Sequence, residues 1–78
     1  MSTQTIDETR VEALFVSAAQ RSEQPSAQAV RAAVSDSIDA FGVVGCAALV
    51  AQEYGEHPET AASRMRWALT AVHDAYPA

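Results

Sequence analysis

His57 stands beside Glu56 and two residues before Glu59, in the run Gly55-Glu56-His57-Pro58-Glu59. An imidazole among carboxylates is a donor set that divalent metals accept. No complete ligand set is visible here, and a residue just before Pro58 also fits the cap of a helix, which accounts for His57 without a metal. His73 has no serine, cysteine or paired carboxylate next to it, so neither histidine forms a nucleophile or acid–base pair in sequence. Asp36 and Asp39 lack a histidine or third carboxylate nearby and read as solvent-facing. Glycine loops of the phosphate- and dinucleotide-binding kinds are absent. The chain is therefore expected to be no enzyme, with no catalytic residue, no metal site, no cofactor and no small-molecule ligand.

The single cysteine cannot form an intramolecular disulfide. Cys46 falls among apolar and small residues and is expected as a buried structural thiol. Ten acidic residues against five arginines give a net charge of -5, which works against long-range attraction to nucleic acid or an anionic membrane. The N-terminal residues include acids and only a short apolar run, unlike a signal peptide, and no apolar stretch looks long enough to span a bilayer. A cytoplasmic location without membrane association is the resulting expectation.

Those side chains need elements to hold them, and the hydrophobic pattern supplies four helices in one domain covering residues 1–78, with residues 1–5 as a flexible N-terminus. Hydrophobic content is 49%, much of it alanine, which favours close-packed helices over sheet. The first helix begins near Thr5 or Asp7, where Thr5 and Glu8 have capping-box spacing, and runs to about Gln20 with Val11, Leu14, Phe15 and Ala18 on one face. After a break at residues 21–25, Ser26 caps a second helix whose stripe is Val30, Val34, Ile38 and Phe41. Gly42 and Gly45 punctuate the next stretch of chain; Val43 and Val44 form a connector or carry the helix through a bend. The third helix runs from Gly45 or Cys46 to Tyr54, with Gly55 as a left-handed C′ residue. Pro58 opens the fourth, on which Ala61, Met65, Ala68, Leu69 and Val72 make the core stripe. Ile6, Val43, Val44, Leu49, Val50, Tyr54 and Tyr76 complete the large core candidates.

At 100° per residue Trp67 falls nearly opposite Met65, with Thr60, Ser63, Thr70 and Asp74 on the same side and Arg64 and Arg66 flanking it. A tryptophan outside the core stripe buries large area with little flexibility lost, which suits a protein interface. The expected interface is Trp67, Thr60, Ser63, Arg64 and Thr70. Packing of Trp67 against an N-terminal helix of the same chain is the alternative. A chain of 78 residues has a thin margin of buried surface, so self-association or a protein partner is expected.

The segment Ala47–Ala68, AALVAQEYGEHPETAASRMRWA, resembles the helix-turn-helix of region four of bacterial sigma factors and related transcription regulators. Ala51 matches the small residue where the two helices cross, Gly55 the turn glycine, Thr60-Ala61 the onset of the inward part of the second helix, and Ser63-Arg64-Met65 a Ser-Arg-Leu type of run. Glu56 and Glu59 depart from that pattern, Glu59 with a negative charge on the DNA-facing side. The resemblance implies an all-α domain with a C-terminal helix-turn-helix-like pair. It also implies DNA as a possible partner, with Arg66 reading guanine and Ser63 and Arg64 positioning phosphate. The leading expectation is a non-catalytic regulatory protein-interaction module; the alternative is a small DNA-binding transcription regulator.

Overall fold

In the computed structural model, which describes residues 6 to 77, all regular structure is helical. Among the described residues there are three α-helices, where four were expected: α1 (Ile6–Val16), α2 (Ala27–Glu56), which is kinked, and α3 (Pro58–Ala75), with a short 3₁₀ turn at Arg21–Glu23. The Thr5 half of the expected capping box lies outside the described residues. Asp7 and Glu8 occupy the first turn of α1, where acids complement the positive helix end.

Helix α1 stops at Val16, short of Gln20. The Ser17 hydroxyl donates to the Leu14 carbonyl (2.7 Å) and accepts from the Ala19 amide (3.2 Å), turning the chain out of the helix. Glu23 accepts from the Gln20 amide at 3.0 Å to hold the 3₁₀ turn. Ser26 then caps α2 as expected, accepting from the Ala29 amide at 3.1 Å.

Helix α2 takes in the second and third expected helices as two helical segments that meet at a kink at Gly42. Only Gly42 leaves helical geometry, at φ 72 and ψ 169, so the bend is taken up in one residue and the chain returns to helix at Val43. That conformation is essentially confined to glycine. Gly55 is not a left-handed cap; it sits inside α2, and Gly42 is the only positive-φ glycine among the described residues. The joint to α3 is His57 alone, at φ -140 and ψ 67. Pro58 is the cause, since its ring excludes the helical region for the residue before it. His57 bridges both ends through its backbone, donating to the Glu53 carbonyl (2.7 Å) and accepting from the Ala61 amide (2.8 Å). Its side chain makes no cap.

The core joins all three helices through Val11, Ala13, Leu14, Phe15, Val30, Val34, Cys46, Val50, Ala61, Ala68, Val72 and Ala75. Alanines occupy the tightest positions, because small side chains let helix backbones approach. Several large residues expected inside are displaced: Ile6, Phe41, Val43, Val44, Tyr54 and Leu69 are exposed, Val44 at 83% and Leu69 at 54%. Leu69 lies one residue from the buried Ala68, and the alanine takes the contact. Val43 and Val44 come just after the Gly42 bend, which resets the helical phase so that Cys46 and Val50 face inward. Ala51, expected at a helix crossing, is exposed, and Val50 occupies the buried position beside it. Helix α2 is also long and apolar enough to cross a membrane by length and composition alone, contrary to the expectation from sequence. Alanine and glycine dilute its apolar look, although residues 40 to 52 carry no charge.

Cys46 is fully buried, as expected, and its thiol donates to the Ser37 carbonyl at 3.7 Å. Burial, with a smaller contribution from Glu12, pushes the thiol above its ordinary pKa. A raised folded pKa means stability that is full below the unfolded thiol's value of about 8.5 and declines as pH rises beyond it. The melting temperature should fall between pH 8 and pH 10, and Cys46→Ala should flatten that slope; an unchanged slope in the variant would show that another group controls it.

The two glycines give opposite expectations. No atom lies within 4 Å of a Cβ at either Gly42 or Gly55, so only backbone conformation distinguishes them. Gly42→Ala should destabilise by about 1–3 kcal/mol, whereas Gly55→Ala, in helix, should stabilise by about 0.5–1 kcal/mol. Thermal midpoints would shift in opposite directions, by roughly 4–8 °C per kcal/mol in a domain of this size.

Candidate functional site

Helix α3 runs past the connector between α1 and α2, and a groove of about 1200 Å³ lies between them. Thr60, Ser63, Arg64, Trp67 and Thr70, the five residues expected from the sequence to form one surface, all line it. Arg21 and Pro25 contribute from the connector, with Val30 and Ala71 supplying apolar wall. The connector residues were not foreseen, since nothing in the sequence ties residues 20–25 to α3.

Trp67 is half-buried and packs against the core cluster, so it does not stand out into solvent as the helical wheel suggested. Its ring lies 5.0 Å from the Arg64 guanidinium, which is 5.9 Å from the Phe15 ring on another side. These are cation–π distances, with the shorter one to the better aromatic partner.

Arg64 itself turns inward to the end of α1. Its Nε donates to the Phe15 carbonyl at 2.6 Å, and Nη2 reaches the carbonyls of Leu14 (3.3 Å), Ser17 (3.0 Å) and Ala19 (3.0 Å). The last carbonyls of a helix lack intrahelical donors and carry partial negative charge, so a guanidinium there satisfies both needs. Partial burial lowers the Arg64 pKa from its ordinary value by desolvation. The groove is therefore built around an arginine whose donors are largely committed within the chain.

The other arginines divide similarly. Arg31 donates to the Ala75 carbonyl at 2.9 Å, closing the end of α3. Arg10 stacks over Tyr76 at 3.9 Å and pairs with Asp7 at 3.6 Å. Arg66, expected beside Arg64, is exposed and does not line the groove. Glu59 and Asp74 also line the groove, so Arg21 and Arg64 face a balanced charge there instead of a basic surface.

Arg64→Met should lower unfolding free energy by about 1.5–3 kcal/mol, the range for hydrogen bonds to a charged group. Arg64→Lys should lose less, because an ammonium keeps part of the carbonyl set. Arg66→Ala should stay within about 0.5 kcal/mol of the parent. Urea unfolding of the three variants decides this; equal losses at positions 64 and 66 would exclude the capping role.

No protein-family model, curated protein or solved structure matches this chain, so its functional reading rests on the residues and geometry described above.

Proposed function

We propose that this chain is a non-catalytic regulatory protein-interaction module that holds a segment of a partner protein in the Trp67 groove. The supporting observation is the convergence of Trp67, Thr60, Ser63, Arg64 and Thr70 on one concave surface. Trp67 offers a broad, rigid contact whose packing against the core limits the entropy lost on binding. The hydroxyls of Thr60, Ser63 and Thr70 supply adaptable donors and acceptors, and Arg21, Glu59 and Asp74 supply charge. An apolar anchor with polar surroundings is the usual anatomy of a protein interface.

The alternative, a DNA-binding helix-turn-helix regulator using Ser63, Arg64 and Arg66, draws less support. Arg64 donates to four carbonyls of its own chain, leaving Arg66 as the exposed cation of that set. Duplex binding depends on neutralising several phosphates, and the net charge is -5.

A photo-crosslinking amino acid at Thr70, in the full chain within its native cells, tests the leading reading. Adducts with a discrete protein should form from position 70, be absent from a control at the exposed Asp36, and disappear with Ser63→Glu. Absence of a position-specific protein adduct would reject the groove as a partner site; duplex adducts would favour the DNA reading.

A further inference from the structure

We propose that Glu53, Glu56 and His57 bind a divalent transition-metal ion of the zinc class at the joint between α2 and α3. One donor atom from each of these side chains lies within 4.8 Å of the others. The sequence drew attention to His57 with Glu56 and Glu59; the helix instead brings Glu53, one turn earlier, to the imidazole. His57 Nδ1 and Glu53 Oε2 are 3.4 Å apart. Metal–donor bonds of about 2.0–2.1 Å in a tetrahedron put neighbouring donors roughly 3.3–3.4 Å apart. The pair therefore already spans one edge of such a site. Glu56 is exposed and can complete a third position by side-chain rotation, leaving the fourth to water.

The electrostatics of α2 point to a cation at the same place. Carbonyls at a helix C-terminus carry partial negative charge, which favours a basic side chain in the last turn. The last turn of α2 contains no basic residue, while Glu53 and Glu56 add two carboxylates. An ion bound there offsets the repulsion between them. The mixed donor set selects its class: imidazole nitrogen suits zinc, cobalt, nickel and copper, whereas calcium and magnesium prefer oxygen throughout. Binding would clamp the last turn of α2 to the single residue that joins it to α3.

Titration of the full chain with zinc chloride, followed by calorimetry, should give one saturable site. His57→Ala and Glu53→Gln should each weaken it at least tenfold, with helicity unchanged because the His57 side chain caps neither helix. Glu59→Gln removes a nearby carboxylate outside the donor set and should change affinity less than twofold. Cobalt should give the intense visible absorption of a tetrahedral ion, and magnesium should not compete. The proposal is overturned by no saturable zinc binding, by an equal loss from Glu59→Gln, or by equal affinity for magnesium.

Discussion

The guanidinium of Arg64 at the end of α1 is the interaction on which the arrangement depends. It links carbonyls of residues 14 to 19 to the middle of α3, across 45 to 50 residues of chain. An α-helix that ends inside a small domain must find donors for its final carbonyls, and water is only partly available there. Arg64 provides them and adds positive charge at the negative helix end. With α1 fixed at Val16, the chain crosses to α2 beside α3, and this crossing creates the opposite wall of the Trp67 groove. The same solution recurs at the far end of α3, where Arg31 donates to Ala75.

Two backbone constraints set the directions of the remaining helices. Gly42 leaves helical geometry for one residue at the kink between the two segments of α2, whereas Pro58 ends α2 by restricting His57. The contrast explains why two similar-looking glycine or proline signals have different consequences. A glycine can adopt an unusual conformation for one residue and return to helix; a proline also withholds an amide donor and constrains its neighbour.

Much of the all-helical architecture was legible in local chemistry. Ser26, Pro58, Glu59 and the inward residues Val11, Leu14, Val30, Val34, Ala61, Ala68 and Val72 announced their places through capping and periodicity. The shorter α1 was legible only in part: Ser17 is a local turn residue, but Arg64, which donates to the same carbonyls, lies far away in sequence. The displacement of Leu69 and Val44 was not legible, since a hydrophobicity pattern favours large side chains at positions where close helix approach selects alanine. The candidate site was partly legible for a related reason: Thr60, Ser63, Arg64, Trp67 and Thr70 share a helical side, but the connector that faces them is set by the end of α1.

Helix α3 shows why an inside–outside division misplaced Trp67. Ala61, Ala68, Val72 and Ala75 pack into the core, while Arg64 must turn toward the end of α1. Trp67 is three residues after Arg64, and residues at that spacing occupy neighbouring positions on a helix surface. Fixing Arg64 therefore draws Trp67 toward the connector and covers part of its ring. Arg66, Leu69 and His73, with Thr70 at the groove's rim, are left on the exposed side. The helix has two packed sides, one apolar and one organised around a cation, and the groove runs along the second. Partial burial of Trp67 thus goes with the capping interaction that Arg64 makes at the end of α1.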